Sequence, residues 1–116
     1  MKVVIAGSRS VHDYEEVKAA VEESGFEVTE VVSGRAAGVD RLGESWADEY
    51  GVPVKSFPAD WARWGMVAGL RRNTQMAEYG DALVAVHDGS SKGTTNMIEQ
   101  MRIRGKPVHV RLVKPE

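Results

Sequence analysis

Apolar and polar residues alternate in blocks along this chain, and the blocks change period as they go. Residues 2–6 and 82–86 are nearly uninterrupted apolar runs, the pattern of central parallel strands covered on both faces. Residues 28–32 predict a second strand, and residues 52–57 a short third one whose Pro53 marks a sheet edge. In a fifth strand, Val108, Val110 and Leu112 alternate with His109, Arg111 and Val113. Between these lie segments of helical spacing. Tyr14, Val17 and Val21 share a face over residues 13–24, with Gly25 as the stop. Val39, Leu42, Trp46 and Tyr50 do so over residues 39–50, ahead of Gly51. Further helices are expected over residues 67–79 and 94–104, the first of them after a connection at residues 58–61.

Strand and helix therefore take turns without repeats or a linker, which predicts an α/β, Rossmann-like, doubly wound parallel sheet of five strands with helices on both faces. The two most apolar strands belong in the middle, and right-handed crossovers then favour the order 3-2-1-4-5. That order puts a topological switch between strands one and four, where open sheets of this kind bind ligands at the carboxyl ends of the strands.

Composition narrows the possibilities. A chain of 116 residues is expected to form one domain with one core. A net charge of -2 supplies no global field to draw it onto nucleic acid or anionic lipid. The absence of cysteine removes disulfides, thiol nucleophiles and thiolate metal sites. His12, His87 and His109 lack metal-ligand spacing, so neither a metal nor a cofactor is expected. No stretch reaches the roughly 20 apolar residues of a membrane helix, and a cytoplasmic location is expected.

Candidate chemistry lies in three glycine-containing loops at the predicted strand ends. Gly7-Ser8-Arg9 follows the first strand, residues 33–40 follow the second, and residues 88–95 follow the fourth. A strand entering a helix through small residues aims backbone N–H groups and a helix dipole at one spot, which suits a phosphate. Gly34, Gly38, Gly89, Ser91, Gly93 and Thr94 are the loop candidates, with Arg9 and Arg35 as cationic partners. A tight turn with solvated arginines accounts for the same residues. Asp40 falls in a first helical turn, where the dipole alone explains a carboxylate and a ribose hydroxyl is the alternative partner. Trp61 is a candidate stacking platform for a base, whereas Trp64 is expected to fill the core. Arg72 and Asn73 sit beside the small residues Ala68 and Gly69, as ligand contacts or a solvated face. Trp46, Met76 and Met101 are read either as core or as an apolar patch for a homodimer. His87 is weighed as an acid/base or hydrogen-bonding group, and no dinucleotide fingerprint or P-loop occurs.

With these segments in order, the chain resembles the SLOG superfamily of Rossmann-like proteins, which unites the DprA/Smf proteins with the LONELY GUY phosphoribohydrolases. The match is to its small YspA/YpsA-related branch, common in bacteria and phages. The residues carrying it are Gly7-Ser8-Arg9, Ser33-Gly34 with Gly38-Val39-Asp40, Ala59-Asp60-Trp61, Gly69 with Arg72-Asn73, Asp81, and Gly93-Thr94. The resemblance implies a pocket for nucleotides or nucleotide-derived ligands, and adds weight to Arg9, Arg72, Asn73 and Thr94 as its residues.

Two departures from the family pattern stand out. Where the branch reads Gly-Gly-Ala-Arg-Gly-Val-Asp, this chain has Arg35 for the second glycine and Ala37 in the arginine's place. The phosphoribohydrolases carry a glutamate three residues after the threonine of Gly-Thr, and here that position is Met97. Glu99 falls about 200° around the helix from it. The expected function is thus binding of a nucleotide or nucleotide-derived phosphate, as sensor or carrier. One alternative is N-glycosidic cleavage of a nucleoside 5′-monophosphate with Asp40 or Asp88 in the glutamate's place. Another is single-stranded DNA binding, which the acidic balance disfavours.

Overall fold

The computed structural model describes residues 1–114. Its core is a five-stranded, all-parallel sheet in the order β3-β2-β1-β4-β5, as the apolar pattern predicts. The strands are β1 (Lys2–Gly7), β2 (Glu30–Ser33), β3 (Val54–Ser56), β4 (Ala82–His87) and β5 (Val108–Leu112). The helices are α1 (Tyr14–Ser24), α2 (Val39–Tyr50), α3 (Trp61–Trp64), α4 (Ala68–Tyr79) and α5 (Lys92–Ile103), with a 3-10 turn at Gly65–Val67 before α4. β1 and β4 pair from Val3 opposite Ala82 to Gly7 opposite Val86, side by side at the centre.

Side chains on successive strand residues point to opposite faces, so each central strand feeds two cores. Val3, Ile5, Val31, Val84 and Val86 face α1 and α2, where Val17, Val21, Val39 and Trp46 meet them. Val4, Ala6, Val32, Leu83 and Ala85 face α4 and α5, against Met76, Met97, Ile98 and Met101. Trp46, Met76 and Met101 are therefore core residues, and the alternative of an apolar patch at these positions is set aside. At about 25 cal/mol per Å², each such buried apolar side chain contributes roughly 1.5–3 kcal/mol.

Several boundaries differ from expectation. β3 is confined to three exposed residues because Pro53 precedes it and lends only its carbonyl, which accepts from the Val31 amide at 2.9 Å. Leu112, expected on the apolar face of β5, is 73% exposed at the strand's end, beyond the helices' cover. Residues 61–64 are helical because the Asp60 carboxylate accepts from the Arg63 amide at 3.1 Å, capping one turn. Trp64 is not core: it is half-buried, with the Arg63 and Arg71 guanidinium carbons 4.7 and 3.5 Å from its ring centroid. α5 begins two residues early, because the Ser91 hydroxyl accepts from the Thr94 amide.

Candidate functional site

Parallel strands deliver the loops after β1, β2 and β4 to one border of the sheet, and the switch between β1 and β4 opens there. A cleft of about 490 Å³ lies at this border. From the strand side it is lined by Ala6, Gly7, Arg9 and Ser10, and from α5 and its approach by Asp88, Ser91, Gly93, Thr94 and Met97. α4 supplies Gly69, Leu70, Arg72, Asn73 and Met76, while Trp61, Met66, Ala36 and Asp40 complete it.

The loop after β1 is a splice between three segments. Ser8 is 1% exposed, and its hydroxyl accepts from the Asp88 amide at 3.0 Å while its carbonyl accepts from the Val11 and Val39 amides. Its hydroxyl holds loops together and does not line the cleft. Gly38, at φ 77°, permits that splice: a Cβ there would lie 2.5 Å from the Ser8 oxygen and 2.7 Å from the Arg9 Cα. Arg9 is exposed and lines the cleft.

The loop after β2 shows what the Arg35 departure does. Arg35 keeps a left-handed backbone, φ 65°, the conformation for which glycine is the ordinary occupant, at a cost of about 1–3 kcal/mol. Its guanidinium pairs with Glu44 Oε1 at 2.9 Å, and its amide donates to Ser33 Oγ at 3.2 Å. Ser33 Oγ in turn donates to Glu44 Oε2 at 2.6 Å. Gly34 makes room for two side chains: a Cβ on it would stand 2.8 Å from Asp40 Oδ2 and 2.9 Å from Arg72 Cδ.

Asp40 is 4% exposed, and its Oδ2 accepts from the Ala36 amide at 3.3 Å. Burial pushes its carboxyl up to about 6, against the opposing pull of Arg72 and of the Ala36 and Gly7 amides. Burial also lowers the Arg72 guanidinium from its ordinary value, with Asp40 opposing and the Arg9 charge adding to the decrease. Arg72 donates to the Gly34 carbonyl at 2.6 Å and to Asn73 Oδ1 at 3.1 Å. Asn73 Nδ2 donates to the Gly93 carbonyl and to Asn96 Oδ1, both at 3.1 Å. A continuous chain of polar contacts thus links the β2 loop, α4 and α5, and Asn73 braces the cleft wall as well as lining it.

The loop after β4 satisfies part of its own backbone. Asp88 Oδ1 accepts from the Ser90 and Ser91 amides at 2.9 and 3.0 Å, while Ser10 Oγ donates to its Oδ2 at 3.0 Å. These bonds hold its carboxyl far below the usual range, so it stays ionised. Two of the amides expected to cradle an external phosphate, those of Ser90 and Ser91, are taken by the loop's own carboxylate. The Gly89 amide, at φ 93°, donates to His87 Nδ1 at 3.0 Å, and His87 Nε2 meets Thr95 Oγ1 at 3.1 Å. His87, with both ring nitrogens engaged and outside the cleft, takes the hydrogen-bonding role of the two weighed for it and braces the loop. The amides of Lys92 and Gly93, in the first turn of α5, have no acceptor among the described residues.

Of the residues expected to form the site, the structure gathers Gly7, Arg9, Asp40, Trp61, Arg72 and Asn73 around one cleft. Ser91, Gly93 and Thr94 join them from α5. Gly34 and Arg35 line an adjoining groove, and Ser8, Gly38 and Gly89 line neither. Met66, Leu70 and Ala36 line the cleft without having been expected, and Glu44 and Asn96 support it. Met97 lines the cleft, while Glu99 is exposed outside it. Among the described residues, no group of three or more histidine or carboxylate side chains could hold a metal ion, and no helix is long and apolar enough to cross a membrane.

Comparison with known proteins gives no match among curated proteins or solved structures. A family model does match, over residues 1–64, a segment running from β1 through α3 and carrying the loops at Gly7 and Gly34. Through that segment, more than half of its length, the chain belongs to the YspA, cpYpsA-related SLOG family.

Proposed function

We propose that this protein binds a nucleotide-derived, phosphate-bearing ligand in the cleft at the β1–β4 switch, as a sensor or carrier. The observation that carries the reading is the pairing, across one cavity, of the exposed Trp61 indole with the guanidiniums of Arg9 and Arg72. Trp61, Met66 and Leu70 supply an apolar wall for a base, and Arg9 supplies a planar fork for a phosphate. Arg9 has no ion pair among the described residues, so an incoming anion meets a charge that no internal carboxylate neutralises. Membership of a SLOG family supports nucleotide-related binding in general.

Calorimetry with nucleoside mono-, di- and cyclic phosphates tests the reading. Binding to at least one of them is expected, weakened about tenfold or more by Arg9→Ala, because a hydrogen bond to a charged group contributes roughly 1.5–3 kcal/mol. Affinity untouched by Arg9→Ala and Arg72→Ala together would remove the assigned phosphate grip.

A second reading is favoured by one feature. Asp40 is a buried carboxylate on the cleft, pushed up to about 6, and so is a group that could stabilise a cationic sugar in N-glycosidic cleavage. Asp88 is unsuited, since its oxygens are tied into its own loop. Free base released from AMP by the purified protein, and abolished in Asp40→Asn, is the result this reading requires.

A further inference from the structure

Beside the cleft runs a second groove of about 420 Å³, between the loop after β2 and the residues leading into α3. The two cavities share Arg9, Ala36, Trp61 and Arg72 in their walls. The groove adds Arg35 and Arg41, bringing four arginines to one lining that holds no acidic side chain. In a chain of net charge -2, that concentration of cations is a local arrangement. Arg35 is neutralised by Glu44. Arg41 spends only its Nε, which donates to the Arg35 carbonyl at 3.2 Å, and no ion pair among the described residues engages Arg41 or Arg9. Unpaired guanidiniums lining one groove add their positive charges there, and an anion bound in it is favoured by them.

We infer that the groove is a second anion subsite, so that the ligand carries two separated phosphates, one held in each cavity, with its base against Trp61 in the wall between. The chemical class is a nucleotide with two phosphate groups spaced by sugar, either a nucleoside bisphosphate or a short 5′-phosphorylated dinucleotide. This inference rests on the reading of the first cleft as a nucleotide site. Arg41 contacts only the outer phosphate, because it lines the groove and not the cleft.

The test is calorimetry of the full chain with AMP, ADP, adenosine 3′,5′-bisphosphate, the dinucleotide pApA and an eight-residue oligodeoxyadenylate. The bisphosphate and pApA should bind about tenfold tighter than AMP, the worth of one charge-assisted contact. Arg41→Ala should erase that advantage while leaving AMP affinity unchanged, and Arg41→Lys should retain part of it. Both variants should melt with the parent, since Arg41 is exposed. Equal affinities for AMP and the bisphosphate, an advantage that survives Arg41→Ala, or ADP matching the bisphosphate would each overturn the second subsite while leaving the first cleft standing. Affinity that keeps rising to the octamer would replace a small ligand by single-stranded nucleic acid. Failure of every compound to bind would remove the nucleotide reading itself.

Discussion

Arg72 Nη1 donates to the Gly34 carbonyl oxygen at 2.6 Å, tying the middle of α4 to the loop after β2. The contact exists only because position 34 has no side chain, since a Cβ there would press on Asp40 Oδ2 and on the Arg72 side chain. Gly34→Ala is therefore expected to destabilise the fold by about 1–3 kcal/mol, the usual cost of overpacking, and to weaken ligand binding by displacing Arg72. Urea unfolding midpoints and calorimetry check the two effects, and a variant as stable as the parent would show that the pair has room to yield.

Asp88 predicts an acid response. Its folded-state pKa is depressed by the Ser90, Ser91 and Ser10 contacts, so the stabilisation it gives is present above the unfolded carboxylate's pKa and is lost as the pH falls through the folded value. Asp88→Asn is expected to be less stable than the parent at neutral pH, with the gap narrowing as the pH drops below about 4. Thermal melts of both proteins from pH 2 to 7 measure the gap. A difference that does not change with pH would mean that the carboxylate's charge is immaterial to the loop.

How much of this was legible in the sequence follows from the physics of each feature. Strand order was legible because uninterrupted apolar runs and Pro53 sort central strands from edges without reference to anything distant. That the loops at Gly7, Gly34 and Gly93 share one border was legible because parallel strands must deliver them there. What Asp88 does was not read, although Asp88-Gly89-Ser90-Ser91 has the composition of a loop that satisfies its own amides. Trp64 stays out of the core for a different reason: its neighbours Arg63 and Arg71 stack on it, and one of them comes from the next helix, a partnership no local pattern shows. The Gly34–Arg72–Asn73–Gly93 chain of contacts is likewise tertiary. The φ of 65° at Arg35 is set by the turn and has no local signature in an arginine.

Asp40 predicts the opposite pH response to Asp88. Its folded value, about 6, lies above the ordinary 3.8, so the folded state holds the proton more tightly. Stability from this group is greatest below the ordinary value, declines as the pH rises from about 4 to about 6, and is level above. The shift corresponds to about 3 kcal/mol at most. The charges facing it are Arg72 and Glu44. Asp40→Asn should flatten stability across that window and gain relative to the parent above pH 7. Urea midpoints between pH 4 and 8 provide the readout, and a parent profile without any decline in the window would contradict the buried carboxylate's role.

Trp61 separates binding from folding. It is 53% exposed, so Trp61→Ala should cost about 1–2 kcal/mol of stability, less than truncating a buried tryptophan. If a base stacks on it, the same variant should lose about 1–3 kcal/mol of ligand affinity, roughly 5- to 150-fold, and Trp61→Phe should lose less because an aromatic face remains. Fluorescence isolates the effect. Of the three tryptophans, Trp46 is buried in the core and Trp64 lies beneath two arginines, leaving Trp61 as the indole that a cleft ligand reaches. Ligand-induced quenching present in the parent and absent in Trp61→Phe would assign the stacking to this residue. Quenching that persists in the variant would move the base elsewhere and leave the cleft with its arginines alone.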